Sequence, residues 1–268
     1  MPEQGAVHRY TVNCSLLFRE LPLLERPAAA RAAGFEAVEF WWPFPDAAPS
    51  AKQVADFEHA IMDAGVQLTA LNFFAGELPG PDRGVLSWPT RSREFLENLP
   101  VVAGIGERLG CLLFNALYGN HLDGLAPGVQ DALAIENLVL AAEAVAPFGG
   151  TVLVEPLSGV PSYPLRTADD GLRVVEQVRS AGATNIALLA DFYHLAVNGE
   201  DVDALIAAHS PNFGHIQIAD APGRGMPGSG TLPLRRWIAQ SYAQGYRGTV
   251  GLEYMAELDP FSWLKRPS

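Results

Sequence analysis

Cysteine is scarce in this sequence, with Cys14 and Cys111 the two present among 268 residues. Two thiols cannot build a disulfide framework, and they suit a reducing compartment as small buried hydrophobes. Positive charge is also short: 18 Lys and Arg stand against 30 Asp and Glu, for a formal net charge of −12. Binding along a nucleic-acid backbone needs a cationic surface, so no nucleic-acid partner is expected. No stretch reaches the roughly 18 consecutive apolar residues of a membrane span. The opening MPEQGAVHRYTVN lacks the basic start and apolar run of a signal peptide. A cytoplasmic protein with no membrane partner is expected. Also missing are the P-loop pattern GxxxxGKS/T, the serine-hydrolase elbow GxSxG, CxxC, and a glycine-rich dinucleotide turn after the first strand.

What is present is a strand–helix rhythm. Hydrophobic residues make up 49% of the chain, enough to fill a large core. Short apolar runs read as strands at Tyr10–Ser15, Glu36–Phe40, Val66–Asn72, Cys111–Asn115, Thr151–Glu155, Ile186–Asp191, Phe213–Ile218 and Gly248–Glu253. Helical patterns separate them. Ser50 and Thr167 are placed to cap two helices, and Gly34 and Gly65 to stop two. Eight alternations without a composition break predict one domain over residues 1–268, a single (β/α)8 TIM barrel of the α/β class. A doubly wound open sheet is the competing architecture.

The second half carries the chemical signal. Four consecutive strands finish near a polar residue: Glu155, Asp191, Gln217 and Glu253, separated by 36, 26 and 36 residues. A barrel brings such positions to one rim, at the carboxyl ends of the strands, where active sites form. An acid at a strand end is often only a helix cap, but four polar ends on successive strands, three of them acids, point to a site. Three carboxylates at close quarters need a positive charge among them. An oxygen-rich set with an amide suits a divalent metal, Mg²⁺ or Mn²⁺. His194 follows the sixth strand, and His215 shares a strand face with Gln217. Arg224, in the loop ADAPGRGMPGSG, offers paired donors to a carboxylate or phosphate. His8, His59, His121 and His209 have no such context. Phe40, Trp41 and Trp42 either wall a pocket or pack in the core or an interface.

Several segments together resemble the hydroxypyruvate isomerase family, which includes 2-oxo-tetronate isomerases and belongs to the xylose-isomerase-like barrels. They are NCSLLFRELPLLERPAAARAAGFEAVEFWWPF, LNFFAGELPGPDRG, VEPL, DFYH, GHIQIADAPGRGMPGSG and GLEY, spread from the first strand to the eighth. The resemblance implies a metal held by Glu155, Asp191, Gln217 and Glu253. It also implies Glu155 and Glu253 as catalytic proton carriers, with His194, His215, Arg224 and Asn72 binding substrate. The implied reaction isomerises a small hydroxy-keto acid through an enediolate. A ketose 3-epimerase and a sugar-acid or polyol dehydratase are the alternatives on the same site. The expected partner is a small hydroxy-keto acid or sugar, and a homo-oligomer is compatible with these features. The chain departs from the family pattern at Leu71, Ser158, Gly159, Met226 and Thr231, in or near loops expected to touch substrate.

Overall fold

A computed structural model describes residues 9–256 and 258–265; the opening residues read above, His8 included, lie outside them. Eight strands close into a parallel barrel in chain order. They are β1 (Tyr10–Asn13), β2 (Ala37–Phe40), β3 (Gln67–Asn72), β4 (Leu113–Asn115), β5 (Thr151–Val154), β6 (Ile186–Asp191), β7 (Phe213–Ile218) and β8 (Val250–Leu252). The helices are α1 (Arg26–Ala32), α2 (Ala51–Ala64), α3 (Ser92–Leu109), α4 (Pro127–Val145), α5 (Ala168–Ser180), α6 (Phe192–Val197), α7 (Val202–His209) and α8 (Leu234–Ala243). This is the (β/α)8 barrel expected from the sequence.

Local chemistry explains the boundaries. The Ser50 hydroxyl accepts from the Gln53 amide while the Gln53 side chain reaches back, and Gly65 ends α2 at φ 64°. Thr167 and Asp170 repeat the capping box at α5. Val54, Phe57 and Ile61 line the buried face of α2, where the Phe57 ring meets Phe40 and Phe44 edge-on at 5.2 and 5.7 Å. Each such side chain contributes about 1.5–3 kcal/mol by leaving water. A 3-10 turn at Leu23–Glu25 precedes the first helix. Strand β4 is two residues shorter than the apolar run from Cys111 predicts. The six-residue α6 has no counterpart in the sequence reading; it is too short to show a helical period.

Inside the barrel, two layers matter. Leu113, Leu153 and Leu189 form an apolar floor with Ala187. Two residues further along the same strands or just past their ends, and so facing the same way, stand Asn115, Glu155 and Asp191. The upper layer is polar all round, with one residue from the carboxyl end of each strand: Asn13, Glu39, Asn72, Asn115, Glu155, Asp191, Gln217 and Glu253. Each is at most 6% exposed. Asp191 pairs in register with Gln217, Asn72 with Asn115, and Asn13 with Glu39.

Both cysteines are buried and reduced. Burial pushes the Cys111 thiol up to about 12 and Cys14 higher still. The thiolate is the reactive form. Native protein at pH 8 is therefore expected to resist iodoacetamide, with two alkylations seen by mass spectrometry only after denaturation.

Candidate active site

The polar ring is knitted by hydrogen bonds between neighbouring strands. Asn115 Nδ2 donates to Glu155 Oε2 at 2.7 Å. Asn13 Nδ2 donates to Glu39 Oε1 at 3.1 Å and to Glu253 Oε1 at 3.3 Å. The Trp41 indole donates to Glu253 Oε1 at 2.6 Å. Trp41 thus faces the site, whereas Phe40 packs in the core and Trp42 donates to the Asp46 carbonyl.

Asp191 serves two purposes. Its Oδ1 accepts from the Tyr193 amide and caps α6, so the modest reading of an acid at a strand end holds for that oxygen. Its Oδ2 is buried with no hydrogen-bond partner among the described residues. The Gln217 Oε1 is likewise buried and unpartnered, while its Nε2 donates to Glu39 at 2.8 Å. Orphaned acceptors of this kind cost about 1–3 kcal/mol each unless something donates or coordinates to them.

Electrostatics follow from burial. Glu155 is pushed well above the usual carboxylate range by desolvation, then by the charges of Glu253 and Asp191. Glu253 is raised for the same first reason, with Arg224 opposing the rise. Arg224 Nη2 lies 2.8 Å from Glu253 Oε2 and 3.6 Å from Asp191 Oδ2, and its guanidinium sits 5.7 Å from the Tyr193 ring. The loop that delivers it is built on Asp220. That buried carboxylate accepts from the backbone amides of Ala221, Gly228 and Leu232. The resulting turn sets Arg224 at φ 55° and lets its carbonyl accept from Met255.

His194 presents a defined face. Its Nδ1 accepts from the Ser158 amide at 3.1 Å, with the Ser158 hydroxyl at 2.8 Å. Desolvation, with Arg224 and Arg83 adding to it against Asp191, lowers its pKa to about 4. The ring is neutral, and with Nδ1 accepting, the proton resides on Nε2. Atoms of Glu155, Asp191 and His194 lie within 4.8 Å of one another, close enough to share a cation. However, Nε2 is 3.6 Å from Asp191 Oδ2 and carries the proton, so it acts as a donor toward the site. His215 sits one pleat below Gln217, fully buried, with Nε2 2.7 Å from Glu39 Oε2. Its contact is with the ring's support. Asn72 lines the interior beside Asn115 and Glu39.

The structure therefore gathers Glu155, Asp191, Gln217, Glu253, His194 and Arg224 at one rim. It adds Asn13, Glu39, Asn115 and Arg83, which the sequence did not single out, and it places there Trp41, one of the aromatics read as wall or core, and Ser158, one of the departures from the family pattern. For Glu39 a signal existed: a lone acid inside an otherwise apolar strand, AVEF, echoes TVLVE and TVGLE.

The model of the xylose isomerase-like TIM barrel family matches residues 27–266. A Streptomyces coelicolor protein assigned as a hydroxypyruvate isomerase is 52% identical over 268 residues, covering 97% of this chain and 96% of that one. The chain belongs to the hydroxypyruvate isomerase family. The 2-oxo-tetronate isomerase of Cupriavidus necator is 32% identical, covering 96% of this chain and 97% of its own. Among solved structures, a Brucella melitensis protein described as an AP endonuclease of family 2 is 30% identical with TM-score 0.84, covering 96% and 98%. The isomerase thus shares its barrel and its length with these relatives. Among its described residues, no helix is long and apolar enough to cross a membrane.

Proposed function

We propose that this isomerase interconverts a short hydroxy-keto acid and its hydroxy-aldehyde isomer, with hydroxypyruvate and tartronate semialdehyde as the parent pair. The observation that carries this reading is the pair of buried glutamates, Glu155 and Glu253, both with raised carboxyl pKa and both bordering Asp191. A carboxyl moved toward neutrality can take and return a proton near pH 7. One glutamate removes the proton from the hydroxymethylene carbon. The electrons form the carbon–carbon double bond of a cis-enediolate, a proton passes from the former hydroxyl oxygen to the former carbonyl oxygen, and the other glutamate delivers a proton to the former carbonyl carbon. Nothing is oxidised overall, so no redox cofactor is required. The names carried by the relatives support the same chemistry.

The site also fits a divalent cation, Mg²⁺ or Mn²⁺. Asp191 Oδ2 and Gln217 Oε1, both buried without a hydrogen bond, join the Glu155 and Glu253 carboxylates in an all-oxygen set suited to a hard ion. When bound there, such an ion polarises the substrate's carbonyl and hydroxyl oxygens. The chain's own residues do the rest. His194 Nε2–H donates to a substrate oxygen. Asn115 and Trp41 hold the two glutamates in place. Arg224 and Arg83 supply positive potential for the substrate carboxylate. Arg83 hydrogen-bonds to the Gly80 and Asp82 carbonyls, and Asp82 is itself paired with Arg91.

The acid excess disfavours a DNA backbone, and the small, closed ring suits a small metabolite held by local positive charge. The deciding experiment supplies Mg²⁺ or Mn²⁺ and screens hydroxypyruvate, 2-oxo-tetronates and four- to six-carbon ketoses. Isomerisation of the keto acids is expected. Preference for ketose epimerisation, loss of water, or no turnover on any of them would overturn the reading.

Removing the cation should show in stability. A ligand at a hundredfold excess over its Kd adds about 2.7 kcal/mol. For a chain of this size that corresponds to a rise in Tm of roughly 5–10 °C. Thermal melts with Mn²⁺ against EDTA check this; identical melts would contradict a cation site.

A further inference from the structure

Glu39 is the fourth carboxylate of the ring, and the proton-transfer chemistry leaves it without a task. It stands at the carboxyl end of β2 with 1% exposure, and beside a bond from Asn13 on the neighbouring β1 its hydrogen-bond partners lie across the barrel on β7. Oε1 accepts from Gln217 Nε2 at 2.8 Å and from Asn13 Nδ2 at 3.1 Å, while Oε2 lies 2.7 Å from His215 Nε2. To reach β7 it passes both β1 and β8. That passage exists because β8 carries glycine at 251. A Cβ there would lie 2.6 Å from Glu39 Oε1 and 2.8 Å from Gln217 Cγ. The glycine lies in register with Gln217 on one side and Thr11 on the other. No positive φ requires it; the clearance does.

A primary amide can turn over and exchange its oxygen for its nitrogen at little cost, unless a neighbour distinguishes them. An ionised carboxylate distinguishes them strongly, because it only accepts. With Nε2 held against Glu39, the Gln217 oxygen must face the opposite way, and there it is buried and unpartnered beside Asp191. A turned amide would set Oε1 against the Glu39 carboxylate, oxygen to oxygen.

We infer that Glu39 is a positioning residue whose carboxylate pins the Gln217 amide, presenting Oε1 rather than Nε2 to a divalent cation at the ring. The inference rests on the cation reading above and deepens it. It makes Gly251 part of the same device, as the gap through which two strands that are not neighbours make contact. It also separates Gln217 from an ordinary surface glutamine, whose amide is free to rotate. An outer residue that orients a ligand typically governs metal affinity by 10- to 100-fold.

The test is a double-mutant cycle on Mn²⁺ affinity, read by calorimetry or by Mn²⁺ electron paramagnetic resonance on metal-free protein without substrate. Glu39→Gln keeps the shape but offers Gln217 both a donor and an acceptor, so the amide is no longer told which way to face. It is expected to weaken Mn²⁺ binding about 10-fold in the wild-type background. In a Gln217→Ala background it is expected to cost less than about twofold, because the residue it acts through is gone. Equal losses in both backgrounds would show that Glu39 acts only through its charge or through general stability, and would overturn the inference. No loss in either background would overturn it as well. If Glu39→Gln does not fold, Glu39→Asp withdraws the acceptor by one methylene and keeps the charge, and the same cycle is read. Failure of the wild-type protein to bind Mn²⁺ would fall on the cation reading itself, which keeps the two claims distinguishable.

Discussion

Replacing Glu155 with glutamine is expected to lower kcat by about 100- to 10,000-fold while leaving the fold intact, and Glu253→Gln is expected to do the same. A positioned acid or base contributes that much to a proton transfer. The amide keeps the carboxylate's shape and a hydrogen-bonding oxygen, but it cannot carry the proton. At Glu155 the neighbour is Asn115 Nδ2, which the new amide oxygen still accepts from. At Glu253 the neighbours are Trp41, Asn13 and Arg224, all donors, so the new amide nitrogen deprives at least one donor of its acceptor and a modest loss of stability is added. Because each glutamate handles the proton at a different carbon, the two variants should differ in detail. One should still exchange the substrate's carbon-bound proton slowly with solvent; the other should not. Steady-state kinetics and exchange followed by NMR check this. Retained turnover in both variants would remove the glutamates from the chemistry.

The second large effect belongs to Arg224. Its guanidinium is shared between Glu253 at 2.8 Å and Asp191 at 3.6 Å. Arg224→Ala removes a charge-assisted hydrogen bond of about 1.5–3 kcal/mol, equivalent to roughly a 10- to 150-fold fall in kcat/KM. The pH profile should move with it. Arg224 holds the Glu253 carboxyl down against burial, so its loss lets that carboxyl rise further. The ionised form then appears only at higher pH, and the ascending limb of the rate profile shifts to alkaline values. Arg224→Lys restores a positive charge without the planar fork. It is expected to recover much of the pH profile and little of the substrate affinity. A profile unmoved in Arg224→Ala would show that the pairing with Glu253 does not govern catalysis.

How much of this was legible beforehand depends on residue type. The barrel was legible because its strands are nearly unbroken apolar runs, and helix ends at Ser50, Gly65 and Thr167 carry strong local signals. The second half of the ring was legible because a carboxylate closing an apolar strand is conspicuous, and three of them, with Gln217 between the second and third, mark strands about one βα unit apart. Of the first half, Asn72 alone was named, and that through the family resemblance. Asn13 and Asn115 are amides, which close many ordinary strands, and nothing local marks them as inward-facing. Glu39 was hidden among aromatics in VEFWWPF, where the pattern reads as wall or core. Its partners lie 176 and 178 residues away, at a distance that only barrel closure brings to hydrogen-bonding range. Ser158, a departure from the family pattern, is the donor to His194 Nδ1, and that role depends on two loops meeting.

The central claim, proton transfer between two glutamates on a short keto acid, is tested most directly in deuterium oxide. The protein is incubated there with Mn²⁺ and hydroxypyruvate, and the carbon-bound hydrogens of the product are read by NMR. Transfer through carboxyl groups that equilibrate with solvent predicts tartronate semialdehyde carrying deuterium at the carbon next to its carboxylate. Product that carries at that carbon a hydrogen brought over from the substrate's hydroxyl-bearing carbon would indicate direct migration between adjacent carbons and would contradict the account.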